Sequence, residues 1–353
     1  MQPITVLSLF DGMSCWRLAL ERAWIPVASY YASEIDKYAI EVSESNRPDV
    51  IQVGDVREIR VKSDIKAIGV VRRPDGDTNV YVGENGLDLL IGGSPCQWFS
   101  SAGKGLNFED PRSKLFFEFV RILNEAKPRY FLLENVKMKK EWQNIISEHL
   151  FGIQPVEIDS ALLSAQRRKR LYRVGKRNED WSYSQVIVNQ PTDKGLILKD
   201  IIQDKVEESY YINQDKVQYT NTKQSNFLKK ILLNINPSGK GMNGNVYNPE
   251  HKSPTLTTNK GEWIKIIQLP RGKNIWGIME NKTPTLSANL WQHNNLLQEW
   301  YRVRRLTPIE CERLQTLPDN YTEWVSNTQR YKMLGNGWTV DVIAHIFREM
   351  FRD

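Results

Sequence analysis

Short apolar runs that end in glycine or acidic residues recur along the first part of the chain, and helical patterns separate them. Such runs occupy residues 4–10, 27–33, 87–91 and 130–133, and another short one closes at residues 54–56. Alternation of apolar strands with helical segments is typical of a mainly parallel sheet that carries helices on both faces. The pattern therefore predicts an α/β domain, with its chemistry at the carboxyl ends of the strands.

Helical patterns are also found between the later strands and near the C-terminus. Residues 115–122 have the spacing of an amphipathic helix. Thr307 and Pro308 predict the start of another helix, because threonine caps helix N-termini and proline is favoured in the first turn. Residues 340–346 predict a further apolar helix, so the C-terminal part is expected to rejoin the first domain.

The alternation is lost between residues 176 and 300, where Asn, Gln, Lys, Gly and Tyr dominate and strand-like pieces are short. This change of character predicts two domains. The first is expected at residues 1–175, with a β-hairpin insertion at about residues 60–86 around a Pro-Asp-Gly turn. A smaller, irregular, β-rich domain is expected at residues 176–300, and residues 301–353 are expected to return to the first domain.

Composition narrows the class of protein. With 40% hydrophobic and 25% charged residues, the 353-residue chain has the composition of a folded protein, and its net charge of +6 weakly favours a polyanionic partner. The three cysteines lie far apart and the four histidines form no ligand cluster, which argues against a disulfide framework and against a metal site. The lack of a signal-peptide pattern and of an apolar stretch of about 18 residues predicts a soluble, intracellular protein with no membrane partner.

Residues 92–100 (GGSPCQWFS) follow a buried strand pattern and bring Cys96 to a loop at the carboxyl end of that strand. Proline and glycine before the cysteine favour exposure of the thiol. The segment has two interpretations. It carries a nucleophile, or it carries a small buried cysteine that happens to follow a strand, since free cysteine is among the most buried residue types.

Acidic residues follow neighbouring strands at the same edge. Asp11 and Gly12 close the first strand in a tight turn, which either presents N–H groups to a nucleotide-like ligand or is an ordinary turn. Glu34 ends the second strand, where such folds bind ribose hydroxyls, although a helix N-cap region has the same composition. Asp55 is placed to accept a hydrogen bond from an adenine amino group.

A carboxylate and a run of basic residues are also expected at this edge of the sheet. Glu134 ends the strand that is expected beside the cysteine-bearing strand, so its carboxylate is expected near the thiol. Residues 166–170 (QRRKR) lie between two apolar stretches. Charge runs usually form solvated faces, but this position favours a strand edge that faces an anion.

In this order, the motifs resemble those of the cytosine-C5 DNA methyltransferases, over about residues 4–172 and 301–349. So many ordered matches make chance agreement negligible. The resemblance implies a Rossmann-like, S-adenosylmethionine-dependent methyltransferase sheet with helices on both faces, and a target-recognition domain at residues 176–300. The matching segments are LFDG at Phe10 and Gly12, Glu34, Asp55, PCQ at residues 95–97, ENV at residues 134–136, Gln166, Arg168 and Arg170 in Q-x-R-x-R, LTPIE at residues 306–310, and GN at residues 335–336.

The resemblance also implies roles for single residues. Cys96 would be the nucleophile, Glu134 the acid and Arg168 the cation at O2 of the base, and Gln97 and Arg170 belong to the same catalytic group. Cofactor contacts are implied for Phe10, Asp11, Gly12, Ser14, Trp16, Glu34, Ile35, Asp55, Val56, Pro95 and Asn336. DNA contacts are implied for Ser100, Gln166, Thr255 and Thr285, the last two in similar segments at residues 252–259 and 282–289.

The implied reaction is transfer of a methyl group from S-adenosylmethionine to C5 of a flipped-out cytosine in double-stranded DNA. Because C5 alone is a poor nucleophile, a thiolate adds first at C6, and a carboxylic acid at N3 stabilises the electron density pushed into the ring. This chemistry needs no metal. The resemblance implies a monomer in the cytoplasm of a bacterial or phage-infected cell, and leaves open whether a cognate restriction endonuclease exists.

Two alternatives stay open. The chain could be a tRNA cytosine-5 methyltransferase on the same scaffold, or a catalytically impaired DNA-binding relative. The long polar second domain with two T-L-[ST] segments favours duplex DNA over tRNA. Intact Cys96, Glu134, Arg168 and Asn336 argue against an inactive relative, whose only support is Trp98 in the cysteine loop.

Eleven tryptophans are many for this chain, and several stand in turns where a small residue is expected. In one interpretation they are packed or DNA-contacting aromatic residues. In the other, the gene uses a code in which a stop-type codon is read as glycine, and tryptophan stands in its place. Ordinary tryptophan codons would exclude this second interpretation. The positions concerned are Trp24, after the first helix, and Trp98, Trp263, Trp276 and Trp324.

Overall fold

The computed structural model describes residues 1–62, 67–70, 78–81, 86–93, 114–212, 231–234, 245–258, 264–268 and 302–352. The strands in chain order are β1 (Ile4–Leu9), β2 (Val27–Ser33), β3 (Val50–Gln52), β4 (Ile59–Lys62), β5 (Ala67–Val70), β6 (Thr78–Tyr81), β7 (Leu89–Gly93), β8 (Tyr130–Val136), β9 (Val156–Asp159), β10 (Lys169–Arg177), β11 (Tyr183–Gln185), β12 (Ile231–Asn234), β13 (Asn245–Tyr247), β14 (Lys265–Gln268) and β15 (Arg302–Arg305). The helices are α1 (Cys15–Arg22), α2 (Lys37–Asn46), α3 (Lys114–Ala126), α4 (Lys140–His149), α5 (Pro308–Leu314), α6 (Asn327–Asn336) and α7 (Val340–Met350).

The main sheet has the strand order β11-β10-β8-β7-β1-β2-β3, and β9 also pairs with β10. From β3 to β8 the neighbouring strands are parallel, whereas β10 is antiparallel to β8, β9 and β11. The α/β architecture predicted from the sequence is confirmed. Because parallel strands point the same way, the carboxyl ends of β1, β2, β7 and β8 meet at one edge of the sheet.

Helices cover both faces of this sheet, since successive strand residues point to opposite sides. In β1, Val6 packs into a buried cluster with side chains of α1 and α7, whereas Leu7 packs into a second cluster with side chains of α3 and α4. Packing on both faces fixes the strand ends from which the site is built. Within the described residues, no helix combines the length and the apolar character needed to cross a membrane.

Two smaller sheets accompany the main sheet. β4, β5 and β6 form an antiparallel sheet in the segment predicted to be a hairpin insertion, so a third strand joins the hairpin. β12 to β15 form another sheet, in which β15 from the C-terminal segment pairs with β14. The expected boundary between residues 175 and 176 falls inside β10, and β11 continues the main sheet beyond it.

Helix α5 begins as the sequence predicts. The Thr307 hydroxyl accepts a hydrogen bond from the N–H of Glu310 at 3.2 Å, and the Glu310 carboxylate accepts one from the N–H of Thr307 at 2.8 Å. This reciprocal pair is a capping box, which satisfies two helix-terminal donors. The same carboxylate accepts hydrogen bonds from both Nη groups of the buried Arg304, at 2.6 and 2.7 Å. These bonds join β15 to α5.

Trp24 occupies a backbone conformation that favours glycine. Its φ is 61°, and its N–H donates to the carbonyl of Glu21 at 3.0 Å, while the N–H of Ile25 donates to the carbonyl of Leu20 at 3.0 Å. These two bonds form a Schellman motif at the end of α1, with tryptophan at the left-handed position where glycine is usual. The side chain is 90% exposed, so little packing compensates for the strain.

Two other tryptophans in turns differ from each other in backbone conformation. Trp181, between β10 and β11, also has a left-handed conformation, with φ of 67°. Trp324 does not have a positive φ, so its backbone gives no support to the glycine interpretation at that position. The remaining tryptophans of this kind, Trp98, Trp263 and Trp276, lie outside the described residues.

Replacing Trp24 by glycine is expected to stabilise the protein by about 1 kcal/mol, because a left-handed conformation strains a residue that has a side chain and does not strain glycine. Trp324→Gly is the matched control, since Trp324 is exposed but has an ordinary φ. Urea unfolding midpoints of both variants test this. A rise for Trp24→Gly alone is expected, and a similar fall in both variants would contradict it.

Candidate active site

The carboxyl ends of β7 and β8 bring the cysteine motif and the predicted acid together. Gly93, the last residue of β7, lies opposite Glu134 in the parallel register with β8. Cys96 follows three residues after Gly93 in the sequence. The register therefore places the start of the cysteine loop beside the strand end that carries the acid. The predicted site residues outside the described residues are Pro95, Cys96, Gln97, Ser100 and Thr285.

Glu134 is buried, with 7% of its surface exposed, and both of its carboxylate oxygens have partners. Nε of Arg170 lies 2.9 Å from Oε1, and the indole Nε1 of Trp338 donates to Oε2 at 3.1 Å. One partner is a cation and the other is a neutral donor. Together they hold the carboxyl group in a fixed orientation at the edge where the cysteine loop begins.

The contact with the acid belongs to Arg170, whereas Arg168 lies in the interior. Arg168 is buried, and its guanidinium donates to the backbone carbonyls of Leu256 at 3.5 Å, Gly335 at 3.2 Å and Gly337 at 2.7 Å. Burial, helped by the neighbouring Arg170 cation, lowers the pKa of Arg168 to about 9. A guanidinium bonded to three interior carbonyls joins chain segments, and a contact of Arg168 with the base stays a prediction.

The position of these carbonyls explains why they need such a partner. Two of them, the carbonyls of Gly335 and Gly337, lie at the C-terminal end of α6, where the last carbonyls of a helix have no partner within the helix. Arg168 supplies donors there, and Nε2 of Gln315 donates to the carbonyl of Leu334 at 2.6 Å. The helix dipole also favours a cation at this end. Gly335 allows a close approach, since a Cβ there would lie 2.7 Å from the backbone of Thr257.

The loop after β1 is tied to the end of β2. Phe10, Gly12 and Ser14 have positive φ angles of 58°, 65° and 59°. Glu34, after β2, accepts hydrogen bonds from the N–H of Gly12 at 2.8 Å through Oε2 and from the N–H of Ile35 at 2.8 Å through Oε1. The N–H of Asp11 donates to the carbonyl of Ser33 at 3.1 Å. The loop and the end of β2 therefore form one unit.

The side chains around this loop fit the donor and acceptor groups of S-adenosylmethionine. Ile35 is 71% exposed beside Glu34 and offers an apolar surface to an adenine ring. Glu34 offers carboxylate oxygens to ribose hydroxyls. Asp55 precedes the short turn Val56–Glu58, and its carboxylate is paired with Arg57 at the protein surface. Val56 itself is buried, so its side chain supports Asp55 from the interior.

Contacts with the cofactor stay a prediction for four residues whose side chains are buried: Asp11, Ser14, Trp16 and Val56. The carboxylate of Asp11 accepts the hydroxyls of Ser14 and Tyr30, each at 2.6 Å, in the protein interior. Trp16 is fully buried, and its ring packs against Trp338 with the centroids 4.7 Å apart. These side chains shape the loop from the core side, because the turn after β1 directs them away from its open side.

The residues predicted to contact DNA are also in different environments. Gln166 is fully buried, and the hydroxyl of Thr255 donates to the carbonyl of Arg167 at 2.7 Å. Arg167 and Lys169 are exposed on the outer side of the same segment, and Asn336 is exposed at the end of α6. Neither polar atom of the buried Gln166 amide has a hydrogen-bond partner among the described residues, and its contact with DNA stays a prediction.

Trp338 was missed as a site residue by the sequence analysis. The only signal was its place directly after Gly337, beside the GN motif. Sequence alone does not reveal which neighbour an indole N–H reaches. Within the described ranges, no group of three His, Cys, Asp or Glu side chains could hold a metal ion.

Asp11 is expected to make stability depend on pH. Burial is the main cause that raises the pKa of its carboxyl from 3.8 to about 6, against the hydrogen bond from Ser14. The folded state then binds the proton more tightly than the unfolded state, so the stabilisation is complete below about pH 4 and is lost as the pH rises through about 6. The shift corresponds to about 3 kcal/mol.

Asp11→Asn is expected to remove this dependence. Free energies of unfolding from urea curves between pH 4 and pH 7 measure it, and the wild-type value should fall relative to the variant across that range. Parallel curves for the two proteins would contradict the role given to Asp11.

Arg168→Lys is expected to lower the free energy of unfolding by about 2–4 kcal/mol, because an ammonium group lacks the fork of donors that reaches three carbonyls. Arg167→Lys changes the exposed neighbour in the same way and should shift stability by less than about 0.5 kcal/mol. Urea unfolding of both variants gives the comparison. Equal effects would show that Arg168 does not join these segments.

Comparison with known proteins agrees with the arrangement of this edge. The family model for C-5 cytosine-specific DNA methylase matches residues 4–352. The orphan methyltransferase M.SPRI of Bacillus phage SPR is 32% identical, over 99% of this chain and 98% of the phage protein. The type II methyltransferase M1.ScrFI of Lactococcus lactis subsp. cremoris is 32% identical, over 98% of this chain and 77% of that protein.

Among solved structures, the Entamoeba histolytica methyltransferase EhMeth has the same fold, with a TM-score of 0.65 and 18% identity over 99% of this chain and 98% of that one. The family match covers nearly the whole sequence and includes the cysteine motif, the acid at the end of β8 and the segment after α6. The chain therefore belongs to the C-5 cytosine-specific DNA methylase family and is a cytosine-5 methyltransferase.

Proposed function

We propose that the protein is a DNA (cytosine-5-)-methyltransferase that acts on a flipped-out cytosine in double-stranded DNA, with Cys96 as nucleophile and S-adenosylmethionine as methyl donor. The observation that supports this most strongly is the register of β7 and β8, which sets Glu134 opposite Gly93 at the start of the Cys96 loop. A buried acid beside a cysteine-bearing loop suits nucleophilic addition to a pyrimidine ring.

In the proposed reaction, the Cys96 thiolate forms a bond to C6 of the base, and the ring electrons shift toward N3. Glu134 gives its proton to N3, and the carboxylate that is left is stabilised by Arg170 at 2.9 Å. C5 then has the character of an enamine and can take up a methyl group. S-adenosylmethionine, when bound, supplies that methyl group from a sulfonium centre. The C5 proton then passes to water and the N3 proton returns to Glu134, so that the bond between C6 and the Cys96 sulfur breaks and the thiolate leaves.

Arg170 takes the position at the base that the resemblance gave to Arg168. O2 and N3 are adjacent on cytosine, so a cation beside the acid that binds N3 is near enough to bind O2. The loop after β1, Glu34 and Asp55 would hold the cofactor at the ends of the neighbouring strands. Base and cofactor therefore meet at one edge of the sheet.

The burial of Glu134 also supports base flipping. With 7% of its surface exposed, the carboxyl cannot reach a base that remains stacked in a duplex, so the cytosine must enter the protein. The exposed Arg167 and Lys169 would contact phosphates, and the net charge of +6 favours a polyanion. Residues 176–300 would read the target sequence, with Thr255 or Thr285 against the DNA backbone.

Cys96→Ser is expected to abolish methyl transfer, because a serine hydroxyl is far less ionised and less nucleophilic than a thiol near neutral pH. Incorporation of labelled methyl groups from S-adenosylmethionine into unmethylated duplex DNA measures the effect. Cys311→Ala is the control, since Cys311 is a buried thiol in α5 outside the PCQ motif, and this variant should retain transfer. Unchanged methylation by Cys96→Ser would refute Cys96 as the nucleophile.

A further inference from the structure

The indole ring of Trp338 lies between the loop after β1 and the acid. A Cβ at Gly93 would lie 2.3 Å from this ring and a Cβ at Gly12 would lie 3.7 Å from it, so glycine at the end of β7 makes room for the indole. Trp16 packs against the ring, with the centroids 4.7 Å apart. Contacts on these sides fix the direction of the indole N–H toward Glu134.

The two oxygens of Glu134 therefore have unequal partners. Oε1 faces the cation of Arg170, which favours negative charge on that oxygen, whereas Oε2 faces the neutral N–H of Trp338. A protonated Oε2 can still accept the indole N–H through a lone pair. A proton on Oε1 would instead weaken a charge-assisted hydrogen bond to the guanidinium. The environment favours the proton on Oε2.

We propose that Trp338 is a positioning residue that holds Glu134 so that Oε2 carries the proton given to the base, an inference that rests on the function proposed above. In this step the O–H bond at Oε2 breaks and an N–H bond forms at N3. The electron pair stays on the carboxylate, where Arg170 stabilises Oε1 and the indole N–H stabilises Oε2. Trp338 acts through Glu134 and supplies no proton itself.

Three other charged or titratable side chains of the described residues face Glu134 from β10 and the residue before it. They are Arg168, Arg170 and Tyr172. Burial raises the pKa of Tyr172 well above its ordinary value, so its hydroxyl remains neutral in the working range. Replacement of the Trp338 indole leaves these three side chains in place. A change in activity that follows can therefore be assigned to the lost indole N–H.

The test is a double-mutant cycle between Trp338→Phe and Glu134→Gln. Phenylalanine keeps an aromatic ring but has no N–H, so kcat should fall about tenfold, the size of one ordinary hydrogen bond. Glutamine has a single acceptor oxygen, which Arg170 would take, and its NH2 group would then face the indole. In the Glu134→Gln background, Trp338→Phe should therefore cause no further loss.

The separate effects on kcat and KM give a second readout. Because the indole N–H acts on the acid and not on the binding of DNA, its loss should lower kcat and leave KM nearly unchanged. Trp181→Phe, in the exposed turn at the far end of β10, is the matched control and should be additive with Glu134→Gln. Equal losses in both Glu134 backgrounds, or a loss confined to KM, would overturn the proposal.

The same cycle measured by urea unfolding separates this inference from the proposed function. If the wild-type protein does not methylate duplex DNA, the proposed function fails. The coupling free energy between Trp338 and Glu134 can still be measured from the free energies of unfolding. Coupling there supports the positioning of Glu134 by Trp338 for whichever substrate the enzyme accepts. Additive effects on stability would overturn it.

Discussion

The buried guanidinium of Arg168 is the interaction on which the catalytic edge depends. It bonds carbonyls of Leu256, Gly335 and Gly337, which belong to segments far apart in the sequence. Burial of a cation is unfavourable unless its donors are satisfied, and burial lowers the pKa of this group to about 9. The carbonyls of Gly335 and Gly337 in turn lie at the end of α6, where they lack partners within the helix. The buried guanidinium therefore gains acceptors for its N–H groups, and the carbonyls gain donors.

The contacts of Arg168 with these carbonyls also determine where the Glu134 carboxyl group is held. Arg170 lies two residues beyond Arg168 on the same side of its strand, and Trp338 directly follows Gly337. The two partners of Glu134 are thus the near neighbours of residues that Arg168 connects. A shift of the contacts made by Arg168 would move the Arg170 cation and the Trp338 indole together, and the Glu134 carboxyl group would lose its fixed orientation. The bonds of Arg168 therefore help to fix the orientation of the Glu134 carboxyl group.

The parts of this arrangement that the sequence predicts are local. Apolar runs followed by polar residues placed Glu34 and Glu134 at strand ends, Thr307 had the signature of a helix cap, and Trp24 stood where a helix needs a left-handed residue. The division of roles between the two arginines of Q-x-R-x-R could not be predicted, because it depends on carbonyls that tertiary folding brings to one of them. The burial of Asp11 and Trp16 depends on long-range packing in the same way.

We propose that this edge of the sheet methylates C5 of cytosine in duplex DNA. The most direct test is transfer of labelled methyl groups from S-adenosylmethionine to unmethylated duplex DNA and to tRNA in parallel, followed by bisulfite sequencing. Methylated cytosines confined to one short sequence in the duplex are the predicted result. Methylation of tRNA alone, or of the duplex at an atom other than C5, would contradict this function.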